Sequence, residues 1–150
     1  MTLAALALAA LAAAGEGGPA QKLVLEGLDA REAPRPLAGL VEQRLCQALG
    51  ERLANADLVC PEDVAAATEM ARNDAIMGRC SSDACLDRVE EMRRAPRRLS
   101  ARMARDGKGW LLTLVLRTDG EPEPRIAKAR LPDDADAILS RVPDLVKQLL

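Results

Sequence analysis

The sequence predicts a single α/β (α+β) domain, a mixed sheet of about five strands with helices packed on it, in the order β-α-β-α-α-β-β-β-α. Three observations carry this expectation. Short Leu- and Val-rich runs alternate with helical-period segments as far as Arg94, and strand-like runs then follow one another before a last helix. The 150 residues hold one domain with a real core but not two. A content of 49% hydrophobic and 29% charged residues suits a globular chain rather than a disordered one.

Taken in order, Thr2–Ala14 is an uncharged run of Leu and Ala. It is too short to span a bilayer, which takes about 20 residues. It matches the apolar region of an export signal, and Ala12, Ala13 and Ala14 before Gly15 supply small residues for cleavage. No Lys or Arg precedes the run, the one element of such a signal that is missing. The competing reading, an Ala-rich amphipathic helix, lacks a polar face. The first cysteine after the run is Cys46, which argues against a lipid-anchored terminus. Residues 1–14 are therefore expected to be a signal peptide, 15–21 a loose leader, and 22–150 the folded envelope domain.

Lys22–Leu28 reads as a first strand, closed by Ala33-Pro34-Arg35-Pro36. Leu40, Val41, Leu45, Ala48, Leu49 and Leu53 then recur at helical steps, predicting a helix to Ala54-Asn55. Asp57–Cys60 is a short strand. Pro61 opens the next helix because it has no N–H to leave orphaned, and Glu62 and Asp63 suit the positive end of its dipole. That helix fades toward Gly78. Ser82 or Asp83 is placed to cap a third helix from Ala84 to Arg94, which Pro96 ends.

Arg97–Arg105 alternates Leu99, Ala101 and Met103 with polar neighbours, as a strand with one wet face does. Asp106-Gly107-Lys108-Gly109 is a hairpin connection. Trp110–Arg117 is the most apolar strand and is expected to be central. Thr118–Pro124 turns the chain, and Arg125–Leu131 alternates as an outer strand. The last helix, Asp133–Leu150, buries Ile138, Leu139, Val142, Leu145, Val146 and Leu149, with a kink or restart expected at Pro143.

Composition narrows the chemistry. The chain has no histidine, which removes imidazole-based nucleophile systems, imidazole metal ligands and the usual neutral-pH proton shuttle. Its carboxylates are scattered over charged helix faces, so no catalytic residues, no metal ligands and no cofactor are expected. A net charge of -2 gives no overall attraction to nucleic acid or anionic membrane. With no Phe or Tyr and a single Trp, stacking platforms for single-stranded nucleic acid are missing too.

Cys46, Cys60, Cys80 and Cys85 form an even set in an exported chain, which favours disulfides. Pairing Cys46 with Cys60 and Cys80 with Cys85 is the economical choice among three connectivities. The first loop contributes about 3 kcal/mol by chain entropy, and the second fixes a local turn. A zinc site needs closer pairs than Cys46 and Cys60 offer. A redox-active Cys80/Cys85 pair is the alternative function. Cys85 lies near a helix start, which favours a thiolate, but the spacing is C-x4-C and not C-x-x-C.

The strand KLVLEGLDA, the amphipathic helix after it, the run DLVCPEDV and the segment Gly78-Arg79-Cys80-Ser81-Ser82-Asp83-Ala84-Cys85-Leu86 carry a family resemblance. Over residues 22–150 the chain resembles short periplasmic domains of myxobacteria and related bacteria. Their fold is similar to the amino-terminal domain of TolB and the α/β domain of CsgG-type envelope proteins. It departs from them at Arg93-Arg94-Ala95-Pro96-Arg97-Arg98, where such domains carry an apolar strand entry. The resemblance implies a periplasmic or secreted domain that docks to other envelope proteins and carries no conserved chemistry.

Two surface features complete the expectation. Arg93, Arg94, Arg97 and Arg98 are either a solvated helix end, where cations suit the dipole, or a docking patch for an acidic partner, anionic lipid or cell-wall polymer. Trp110 is either a lid on the core or an exposed partner anchor. Glu121-Pro122-Glu123-Pro124 is a rigid acidic turn without an assigned role. The expected function is a non-catalytic interaction module of the envelope, held by disulfides. Its partner is an envelope protein, not nucleic acid, and no integral membrane segment remains after signal cleavage. The residues specify neither that partner's identity nor the oligomeric state.

Overall fold

The computed structural model describes residues 21–54 and 57–150. The expected signal peptide and nearly all of the leader lie outside the described residues. The elements run β1 (Leu23–Asp29), α1 (Arg35–Gly50), β2 (Leu58–Val59), α2 (Pro61–Ile76), α3 (Ser82–Arg93), β3 (Arg97–Asp106), β4 (Gly109–Thr118), β5 (Arg125–Leu131) and α4 (Ala135–Leu149). This is the predicted order.

The five strands form one mixed sheet, β2-β1-β3-β4-β5. β1 is parallel to both β2 and β3, whereas β3, β4 and β5 form an antiparallel meander. The hand of crossover connections explains where the helices go. From β1 the chain steps to one side through α1, and from β2 it steps back across β1 through α2 and α3. Two right-handed crossovers in opposite directions must lay their helices on opposite faces of the sheet.

The packing agrees. Leu23 and Leu25 join Val41, Leu45, Leu99, Leu114 and the buried residues of α4 in the main core. Val24, between them in sequence, joins Val59, Val64, Ala71, Cys85 and Val89 in a second cluster under α2 and α3. That is the two-residue period of a strand buried on both sides. α4 returns to the α1 side, packing on α1 and β5. Its buried set, Ile138, Val142, Leu145, Val146 and Leu149, is the expected face except for Leu139, which is only partly buried.

Three details differ from the sequence expectation. α1 ends at Gly50, earlier than the apolar period suggested. Leu53 still packs against the core, but from a turn, whose N–H groups return to Gln47 and Leu49. α3 is capped by Ser81, whose Oγ accepts from the Ala84 N–H at 3.2 Å, and not by Ser82 or Asp83. α4 is assigned continuously through Pro143, so of the expected kink or restart the restart does not occur. β4 is interior but not the middle strand; β3 takes that place.

Two glycines are fixed by local geometry. Gly27, at φ +112°, lies where β1 slips register against β3 between Leu25 and Leu28. There the freed Leu28 N–H donates to Glu42 Oε2 at 3.0 Å. A Cβ at Gly109 would overlap the Leu131 carbonyl on β5, so that close approach needs a residue without a side chain.

Candidate functional site: an uncovered basic sheet face

α1 and α4 cover one face of the whole sheet, but α2 and α3 cover only the β1–β2 side of the other. Among the described residues, nothing lies over the second face of β3, β4 and β5. Strand alternation and register place the side chains there. Ser100, Val115 and Ile126 stand side by side in one row across the three strands, Arg102, Thr113 and Lys128 in the next, and Ala104, Leu111 and Arg130 in the third. At the other end Arg98 stands directly opposite Arg117. Rows are about 7 Å apart, two residues of extended chain.

The face therefore combines apolar ground with cations. Ile126 is 54% exposed, and Leu111, Thr113 and Val115 are half-buried beside it. Arg98, Arg102, Arg117, Lys128 and Arg130 are exposed. Only the ends are neutralised, by Arg98 with Asp119 at 3.6 Å and Arg130 with Asp106 at 3.1 Å. Arg102, Arg117 and Lys128 have no ion-pair partner among the described residues. Arg98 facing Arg117 is a like-charge cross-strand pair, partly offset by Asp119 beside Arg98.

The arginine run singled out in the sequence divides in the structure. Arg93 and Arg94 end α3 and pair with Glu90 at 3.8 Å and Glu91 at 2.9 Å. β3 begins at Arg97, so Arg97 and Arg98 point to opposite faces. Arg97 lies on the α4 side, where its guanidinium donates to the Gln21 carbonyl. Arg98 alone joins the open face. Arg93, Arg94 and Arg98 also line an open cleft of about 850 Å³ at the α3–β3 junction, with Lys22 and Arg88.

Trp110 cannot serve as a partner anchor. It is 1% exposed, and its Nε1–H donates to Asp133 Oδ1 at 2.9 Å. The Arg105 guanidinium lies 4.1 Å from the ring centroid and bonds Asp133 Oδ2 at 3.3 Å. Both donors, Trp110 first, hold the Asp133 carboxyl below the ordinary aspartate value of 3.8. A buried indole needs a partner for its N–H, and here that need ties the β3–β4 hairpin to the start of α4.

Cys46 pairs with Cys60 and Cys80 with Cys85, with Cα separations of 6.0 and 5.9 Å. The first bridge ties α1 to the cap of α2, where the Cys60 N–H also donates to Asp63 Oδ2 at 2.8 Å. The second closes the α2–α3 turn. Cys85 is 2% exposed in the second core cluster, packing that suits a structural bridge. Among the described residues no three His, Cys, Asp or Glu side chains are grouped to hold a metal ion, and no helix is long and apolar enough to cross a membrane.

Sequence reading missed Arg102, Arg117, Lys128 and Arg130 as a group because they come from three strands, and only Lys128 and Arg130 are close in the chain. The one available signal was the alternation in Arg125–Leu131 and Arg97–Arg105, which puts cations on the wet side of both strands.

No protein-family model and no curated protein matches the chain. Among solved structures it is similar to the PelC dodecamer from Paraburkholderia phytofirmans in two crystal forms. One, of a point variant, shows 11% identity and a TM-score of 0.48, covering 90% of this chain and 92% of that one. The other shows 13% identity and a TM-score of 0.48, covering 90% and 91%.

Proposed function

We propose that the protein is a non-catalytic protein–protein interaction module of the bacterial envelope, exported to the periplasm or beyond and held by its two disulfides. The observation that carries the reading is the uncovered half of the sheet. Antiparallel strands often keep one wet face, but that face of β4 carries Leu111 and Val115 beside the exposed Ile126, and exposed apolar ground rimmed by charge marks an interaction site. The apolar run at 2–14 and the paired cysteines support an oxidising, exported location. The resemblance to TolB- and CsgG-type domains agrees with a docking role, as analogy only.

The test is site-specific photo-cross-linking in the native envelope. A probe at Thr113, in the middle of the open face, should give a discrete protein adduct, while one at Ser140, on the exposed side of α4, should give none. Absence of any Thr113 adduct, or equal labelling from both positions, would remove the reading.

A further inference from the structure

We infer that the occupant of the open face is a second copy of this chain, in a reciprocal dimer where each copy's α2–α3 hairpin sits on the other's β3–β5 face. This rests on the interaction-module reading above and names its partner.

Charge is the first argument. The α2–α3 hairpin, Pro61–Arg93, has eight acids against four cations, and the open face presents Arg98, Arg102, Arg117, Lys128 and Arg130, of which only Arg98 and Arg130 are paired with an acid. A molecule of net charge -2 is thus strongly polarised, and each charged surface finds its complement on another copy.

Apolar character is the second. The buried side of α2 is set by Val64 and Ala71, and that of α3 by Cys85 and Val89. By helical period the faces pointing away carry Glu69 and Ile76 on α2 and Asp83, Asp87 and Glu90 on α3, with Met70 at the flank of α2 and Met77 just past its end. Met70 and Met77 are each 66% exposed and Ile76 is 83% exposed, an unusual amount of bare apolar surface for helices bounded by acids. The open sheet offers the match: Leu111, Val115 and Ile126 between rows of cations.

Geometry is the third. The hairpin and the open strands share one face of the sheet, side by side. A two-fold axis along the strands, set between two such faces, brings the hairpin of each copy over the bare half of the other. One helix layer then serves two sheets, and the contact is self-complementary and closed.

The experiment is a charge swap read by sedimentation or light scattering, on the exported protein with both bridges formed. Wild type should show twice the monomer mass, falling toward monomer as salt is raised. A sheet variant, Arg117→Glu with Lys128→Glu, and a hairpin variant, Glu69→Lys with Asp87→Lys, should each be monomeric at concentrations where wild type is dimeric. Mixing the two should restore the dimer, because both half-interfaces again pair opposite charges, and recovery also shows that neither variant is misfolded. A dimer that survives either reversal, or variants that fail to recover on mixing, overturns the proposal. So does a monomeric wild type. If the Thr113 probe then reaches a different envelope protein, only the self-association is lost and the module reading stands. If a monomeric wild type is retained on an anionic polymer and the sheet variant is not, the occupant is that polymer and both readings fall.

Discussion

Trp110, Leu112, Leu114 and Leu116 are buried against the residues of α1 and α4, whereas Leu111, Thr113, Val115 and Arg117, one residue along on the same strand, look out over a bare face. The two sets differ little in their strand propensity. What separates them is connectivity: the crossover through α2 and α3 returns to β1's other side before the meander begins, and α4 goes back to the face that already has α1. The meander is thus one helix layer short. The difference shows that an apolar strand can be interior to a sheet and still keep one face available, and that the charges around such a face are the clue to its use.

The comparison can be broken most directly by truncation. Leu114→Ala on the covered side should cost about 3 kcal/mol in denaturant unfolding, the usual cost of emptying a Leu site in a packed core. Val115→Ala next to it should cost less than about 1 kcal/mol. Equal losses would mean that the second face is covered in the folded monomer.

A smaller effect is expected at the edge of the covered side. Trp110→Phe keeps most of the buried ring but removes the N–H held by Asp133. The sign of the pH effect follows from the lowered Asp133 value. Such a carboxylate adds stability above its ordinary pKa and loses it as the pH falls through the lowered folded value. The variant lacks the largest cause of that lowering. The stability gap between wild type and variant should therefore narrow as acid is added below the ordinary value of 3.8, as thermal unfolding across that range would show. A gap that is constant with pH would detach Asp133 from the indole.

The smallest effect sharpens the contrast from the open side. Arg117→Thr should leave unfolding free energy within about 0.5 kcal/mol, with any change toward greater stability because a like-charge pair with Arg98 is relieved. The same substitution should weaken self-association. A clear loss of stability without loss of association would show that Arg117 supports the fold and not the face.

The elements themselves were readable because each has a local cause. Pro61 with Glu62 and Asp63 starts a helix through orphan N–H groups and dipole charge. Leu99, Ala101 and Met103 alternate because a pleated strand does. Both disulfide pairings followed from neighbourhood along the chain. Where reading went astray, a tertiary contact outweighed a local rule. The apolar period carried α1 on past Leu53, but Leu53 reaches the core from a turn after the helix has ended. The arginine run looked like one patch until β3 began inside it and sent Arg97 and Arg98 to opposite faces.

The sequence by itself determined the order of strands and helices, the buried side of α4 and the cysteine pairs, since periodicity, turn chemistry and short loop closure act between residues near in the chain. Only the tertiary structure decided that β3 is the middle strand, that Trp110 is sealed against Asp133, and that Arg102, Arg117 and Lys128 share one uncovered face. Those facts depend on strand register and on which side each crossover passes, and both are set by packing between segments that are distant in sequence.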